Sequence, residues 1–167
     1  MKKLRRRSEL VSDIIPELLE AQSVEDIGAL ALRVLKSLPP PVAMVCGPLT
    51  TGGGEFEANR RKIRKAISLL RHQETIFDQL IFLGRSDRLH DVRWRLKLPF
   101  IGRYFARQHR LAMREAFHLP LLRSRLIKEI FFLPGWESSE GSRWYHDRAK
   151  ELGIRVQYLK EEDFSAR

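Results

Sequence analysis

The run Val42-Ala43-Met44-Val45-Cys46 is short and uncharged, closed by Pro39, Pro40 and Pro41 on one side and by Gly47-Pro48 on the other. Five apolar residues in succession leave no polar face for water, so a strand made of them has to be covered on both sides. That is the situation of a central strand in a parallel sheet. Helices must then lie against it, which sets the class as α/β.

The sequence around this strand supplies those helices. Beyond the loop Leu49 to Gly54, Phe56, Ile63, Ala66, Ile67 and Leu70 fall on one helical face, while Arg60, Arg61, Arg64 and Lys65 fall on the other. Further strands are expected at Thr75 to Leu83, at Glu129 to Leu133 and, after the turn residue Gly153, at Ile154 to Leu159. Helices between strands imply right-handed crossovers, hence a parallel sheet of four to five strands with flanking helices.

Ahead of this core the sequence reads as a helical pair. Leu10, Val11, Ile14, Ile15, Leu18 and Leu19 recur at helical spacing, with Pro16 expected near the helix start or at a kink. Ser23 opens a second helix with Asp26 three residues on, a capping-box variant, and Ile27, Leu30, Ala31, Val34, Leu35 and Leu38 form its apolar stripe. The expected division is a helical extension over 1–41 and an α/β domain over 42–167, with a basic helical insertion at about 84–128. The length, 167 residues, and the 43% hydrophobic content suit one compact fold with a real core.

Charge is concentrated in the insertion. The chain carries a net +10, and from Arg85 to Lys128 twelve Arg or Lys face three acids, a local +9. A helix is expected from Ile101 to Phe117, on which Arg103, Arg107, Arg110 and Arg114 line one stripe while Ile101, Phe105, Ala112 and Ala116 face away. Such a row of guanidinium groups suits phosphates, so nucleic acid or an acidic protein is one expected partner; a solvated arginine face would have the same pattern. No stretch approaches the roughly 20 apolar residues of a membrane span, and no signal-peptide core follows the basic start. The expected location is the cytoplasm, with no membrane partner.

Several chemistries find no support. The single cysteine, Cys46, excludes an internal disulfide and reads as a small buried hydrophobe. The five histidines show no metal-ligand spacing, so neither metal nor cofactor is expected. Ser138 and Ser139 lack a serine-hydrolase arrangement.

Two loops hold the remaining candidates. The first, Gly47 to Gly54, joins strand to helix, and its glycines let backbone amides approach a ligand. It is no P-loop, because Gly53 and Gly54 stand where Lys and Ser or Thr are needed. Glu55 and Glu57 at the next helix start would repel a phosphate, so a neutral sugar or base fits better. The second runs from Leu133 through Pro134, Gly135, Trp136, Glu137, Ser138, Ser139, Glu140, Gly141 and Ser142 to Arg143, leaving the carboxyl end of a strand and entering a helix expected from Arg143 to Leu152. Ligands bind at that edge of parallel sheets.

Together the loops resemble the nucleoside 2-deoxyribosyltransferase-like superfamily, in particular its uncharacterised bacterial and phage branch. Members of that branch carry a strand ending in Gly-Pro-Met-Thr-Gly, an Asn opening a helix, and a distal Leu-Pro-Gly-Trp-Glu-Lys-Ser-x-Gly-Ala-x-x-Glu-His. The likeness lies at Gly47, Pro48, Leu49, Thr50, Asn59, Ile63 and Ala66, and again at Leu133, Pro134, Gly135, Trp136, Glu137, Ser139, Gly141, Arg143, His146, Ala149, Leu152 and Gly153. It covers about Val42 to Leu159 and is weak between Leu83 and Lys128.

The resemblance implies a flavodoxin-like or Rossmann-like sheet, a nucleoside or nucleotide ligand, homo-oligomers, and N-glycosidic cleavage or base exchange through a glutamate nucleophile, in the manner of a retaining glycosidase. The family's glutamate lies four residues after the glycine that opens the last helix, where this chain has Tyr145. Whether the chain is an enzyme is therefore open. Tyr145 itself, Glu137 or Glu140 from the loop, or Asp147 from the helix could take the role. The expected ligand-binding residues are Gly47, Pro48, Thr50, Gly52 and Asn59 from the first loop and its helix, with Gly135, Trp136, Ser139, Gly141 and Arg143 from the second. Trp136 could stack on a base or anchor the loop, and Arg143 could hold a phosphate or pair with Glu137, Glu140 or Asp147.

Overall fold

The computed structural model describes residues 7–49, 56–84 and 107–165. Its elements are α1 (Arg7–Glu20), α2 (Val24–Ser37), β1 (Val42–Cys46), α3 (Phe56–Leu70), β2 (Thr75–Phe77), β3 (Ile127–Phe132), α4 (Glu140–Glu151), β4 (Arg155–Tyr158) and α5 (Glu162–Ser165). Between β2 and β3 lie a helical turn over 80–84 and a helical stretch, described from residue 107, that becomes a π-helix at Met113–His118 and ends as the α-helical turn Leu119–Arg123. The polypeptide forms two compact units, residues 1–37 with 79–121, and residues 38–78 with 122–167.

The second unit is the expected α/β sheet. Four parallel strands lie in the order β2-β1-β3-β4, with α3 against β1 and α4 against β4, a flavodoxin-like, Rossmann-like arrangement. All five residues of β1 are buried, as a strand covered on both faces requires, and Ile130, Phe131 and Phe132 of β3 are buried beside it. Removing each such side chain from water contributes about 1.5–3 kcal/mol, so this pair of strands is the hydrophobic centre of the unit. Polar groups increase toward the sheet edge. Glu129 of β3, though buried, accepts from Gln157 Nε2 of β4 at 2.8 Å, and β4 is largely exposed.

Three expected boundaries move. The strand expected over Thr75 to Leu83 ends at Phe77, because the Gln79 carbonyl takes the amides of Phe82 and Leu83 at 3.1 and 3.2 Å and starts a helical turn instead. Leu80 and Phe82 are buried all the same, and a short apolar run has the same composition in either conformation. The third strand, Ile127–Phe132, lies slightly earlier than Glu129 to Leu133. The last long helix begins at Glu140, not Arg143, because Ser139 caps it, its Oγ accepting from the Ser142 amide at 3.4 Å.

The first unit packs α1 on α2 and α2 on the π-helical segment. The capping box at α2 is present. Ser23 Oγ accepts from the Asp26 amide at 3.1 Å and Asp26 Oδ2 accepts from the Ser23 amide at 3.0 Å. The Ser23 side chain, with the Gln22 and Ser23 amides, holds the Asp26 carboxyl below its ordinary pKa. Pro16 stands inside α1 rather than near its start; Ile14 and Leu18 are buried while Ile15 and Leu19 are exposed.

The helix expected from Ile101 to Phe117 is described only from residue 107, so Arg103, Ile101 and Phe105 lie outside the described residues. Arg107 and Arg110 are exposed on it, but the wider π-helical turn begins at Met113 and breaks the four-three-four stepping before Arg114, which is half-buried. The His118 imidazole, further along the same turn, is pushed down to about 3 by burial and by the charge of Arg114. The π-helix also fixes the seam with α2. A Cβ on Gly28 would stand 2.0 Å from the Ala116 carbonyl oxygen, so only glycine lets these backbones meet. Gly28→Ala should therefore lower the stability of the protein by about 1–3 kcal/mol in denaturant titration, despite the better helix propensity of alanine. An unchanged or raised midpoint would mean that the seam does not hold the unit.

Candidate functional site

The sheet order creates a switch point. From β1 the chain proceeds through α3 to β2 on one side, whereas β3 lies on the other and leads through α4 to β4, so the connections leaving β1 and β3 diverge at the carboxyl edge, the place where parallel sheets bind ligands. The two loops meet where they leave the strands. The Leu133 amide donates to the Cys46 carbonyl at 2.9 Å, and a Cβ on Gly47 would lie 2.7 Å from Leu133 Cδ1. Gly47 is thus required by close approach rather than by backbone angle. Pro48 and Leu49 are half-buried beside it, and buried Asn59 donates from Nδ2 to the Leu49 carbonyl at 3.3 Å, tying the loop to α3. Thr50 and Gly52 lie outside the described residues.

The second loop is shaped by Gly135, whose φ of 77° lies in the left-handed region that glycine occupies without strain. The turn it permits brings the Trp136 amide back to the Leu133 carbonyl at 3.2 Å and opens a short 3-10 helix, Trp136–Ser138. Ser138 Oγ closes it on the Gly135 carbonyl at 2.7 Å, and buried Ser139 passes the chain into α4. Glu137, Glu140 and Gly141 are exposed at this corner. Arg143 is exposed as well. It makes no ion pair with Glu137, Glu140 or Asp147; its Nη1 instead donates to the Glu137 carbonyl at 2.6 Å and braces the loop.

Tyr145 does not stand in that open corner. It is 8% exposed and burial, with a contribution from Cys46, pushes its phenol well above the ordinary tyrosine value. Cys46 is in the same pocket of core, its thiol raised to about 12 by burial even though Ser142 and the Gly47 amide oppose the shift. Ser142 Oγ faces that thiol and has no conventional hydrogen-bond partner among the described residues. A phenol held neutral in such surroundings is the reverse of an activated nucleophile.

The exposed end of the same edge carries a group that the sequence did not reveal. Tyr158, the last residue of β4, lies in register with Phe132, the last of β3, and the Leu159 amide extends the ladder to the Phe132 carbonyl at 2.8 Å. The Tyr158 hydroxyl is 2.7 Å from His146 Nε2, and His146 Nδ1 is 3.8 Å from Asp147 Oδ1. Trp136 lies over both rings, 4.2 Å from His146 and 5.8 Å from Tyr158 between ring centres, while Phe132 meets His146 edge-on. Since His146 and Tyr158 are hydrogen-bonded to each other, they occupy the same side of the indole. Trp136 therefore anchors its loop through one face and remains half-buried. A tyrosine two residues before Lys160 carries no motif; only the pairing of strand ends brings it to the histidine.

The chain matches no protein-family model, no curated protein and no solved structure. Among the described residues no helix is long and apolar enough to cross a membrane. No group of three His, Cys, Asp or Glu among them could hold a metal ion.

The burial of Cys46 is directly measurable. In the folded protein the thiol should resist a water-soluble disulfide reagent at a pH where free cysteine reacts readily, and become fully reactive when the protein is unfolded. Rapid stoichiometric reaction of the folded chain would contradict this packing.

Proposed function

We propose that the α/β unit binds a nucleoside or nucleotide in the crevice between β1 and β3 and acts on its N-glycosidic bond, by cleavage or base exchange, as a member of the nucleoside 2-deoxyribosyltransferase-like superfamily. The observation that carries the reading is the meeting of the two motif-bearing loops, Cys46 carbonyl to Leu133 amide, at the switch point of the sheet. Gly47 lets the two loops close on each other, Gly135 permits the turn of the second, and Asn59 holds the first in place. Glu137 and Glu140 put two carboxylates at the rim for proton transfer to the departing base. Arg143 commits one nitrogen to the Glu137 carbonyl and has further N–H groups for a 5'-phosphate. Cytoplasmic location and self-association belong to the same proposal.

Incubation with a panel of deoxynucleosides and their monophosphates, followed by chromatography of free base, tests it. Base release is expected, reduced about 10²–10⁴-fold by the double substitution Glu137→Gln and Glu140→Gln. No release above the protein-free control from any compound in the panel would overturn the reading.

A second reading concerns the first unit, and rests on the exposed pair Arg107 and Arg110 one helical turn apart in a chain of net charge +10. On this reading the helix binds the phosphates of a nucleic acid. Oligonucleotide affinity should fall steeply with salt, and the slope should flatten by about two when both arginines become glutamine. Binding indifferent to ionic strength would remove it.

A further inference from the structure

We propose that Tyr158 is a nucleophile at the carboxyl edge of the sheet, activated by His146 and positioned through Asp147. The inference rests on the glycosidic reading only for the identity of its target. Its basis is a chain of three groups read outward from the helix. Asp147 is exposed, with its carboxylate 3.8 Å from His146 Nδ1, too long for a hydrogen bond but beside the imidazolium that forms when His146 takes a proton. In the tautomer with the proton on Nδ1, Nε2 is the acceptor and the Tyr158 hydroxyl donates to it at 2.7 Å. His146 itself is buried against Phe132 and Trp136, which also touch each other and hold the ring, while Tyr158 is 55% exposed. A base held by aromatic packing, with a carboxylate near it, and bonded to a hydroxyl in reach of solvent is an arrangement that turns a weak oxygen nucleophile into a stronger one.

The position also answers what the glutamate-to-tyrosine replacement at Tyr145 leaves open. That phenol is buried beside Cys46, whereas the one at Tyr158 stands on the same strand edge as Gly47, Leu133 and the Trp136 loop. On the glycosidic reading, Tyr158 Oη attacks the anomeric carbon as the bond to the base nitrogen breaks. The phenol proton passes to His146 Nε2, while a rim carboxyl of Glu137 or Glu140 gives its proton to the departing nitrogen, which leaves with the bonding electron pair. Water then attacks the glycosyl-tyrosine ether, giving up a proton to that carboxylate. The phenolate leaves and regains its proton from Nε2, so the cycle consumes one water and releases the free base and the free sugar. Tyr158 is the nucleophile in this scheme; His146 and Asp147 act through it.

Benzenesulfonyl fluoride tests the nucleophile without any nucleoside, because it forms a sulfonate ester on an activated phenol oxygen while fluoride leaves and the base takes the proton. The chain has three tyrosines, Tyr104, Tyr145 and Tyr158, so peptide mass spectrometry locates the label. The expected result is labelling at Tyr158 that falls about 10-fold or more in His146→Gln and by a smaller factor in Asp147→Asn, an exposed substitution that leaves the aromatic packing in place. Equal labelling of Tyr158 in the parent and in both variants, or none at Tyr158 in the parent, overturns the proposal. The two readings fail separately. Labelling at Tyr158 without base release from any nucleoside keeps the nucleophile and removes its glycosidic target; base release that survives Tyr158→Phe removes the nucleophile and keeps the glycosidic reading.

Discussion

The parallel pairing of β1 with β3 is the interaction on which the α/β unit depends. It joins the most deeply buried segments of the sheet, and it runs one bond past the strands, where the Cys46 carbonyl takes the Leu133 amide. That last bond brings two loops from distant parts of the sequence into contact. A Cβ at position 47 would press on the Leu133 side chain, so glycine there and the continuity of the ladder depend on the same contact. The chain leaves β1 and β3 in opposite directions across the sheet, so their connections diverge from that contact.

Along the strand axis the unit passes from neutral core to polar edge over very few residues. Cys46, Ser142 and Tyr145 form the inner layer, and burial keeps both the thiol and the phenol in their neutral forms. Glu137, Glu140 and Arg143 form the outer layer, exposed on the turn that Gly135 allows. Between them Trp136 covers the His146 and Tyr158 pair on one side. Ionisable groups that could do chemistry therefore lie at the rim, where water or a ligand can stabilise a charge, and those sunk in the core serve packing.

The elements legible in the sequence were those whose signal is local. Val42–Cys46 was readable because prolines and glycine bound a run with no polar face, and the α2 start because Ser23 and Asp26 make their bonds within one turn. Gly153 stood out as a turn residue for the same reason. The misread segments depend on contacts beyond their own window. Leu80 and Phe82 would be buried in a strand as well as in the helical turn that replaces it, so composition could not decide between them. The π-helix at Met113–His118 follows from the approach of Ala116 to Gly28, nearly ninety residues away in sequence, and no periodicity announces that contact. Within the site, the loop glycines were visible, whereas the bond of Tyr158 to His146 joins a strand end to the middle of a helix and exists only through the β3–β4 register.

The surroundings of a side chain, more than its place in a motif, decide its chemistry. Tyr145 is enclosed in the core, where a charged group would face the cost of burial. The ionisable oxygens at the same edge belong to other elements: Glu137 and Glu140 lie on the turn, and Tyr158 ends β4, a largely exposed strand whose end is adjacent to that of β3 and whose final side chain meets an imidazole held by the packing of the Trp136 loop. The anchor of the second loop and the support of the Tyr158 hydroxyl are thus one aromatic cluster, and a change in either alters the other.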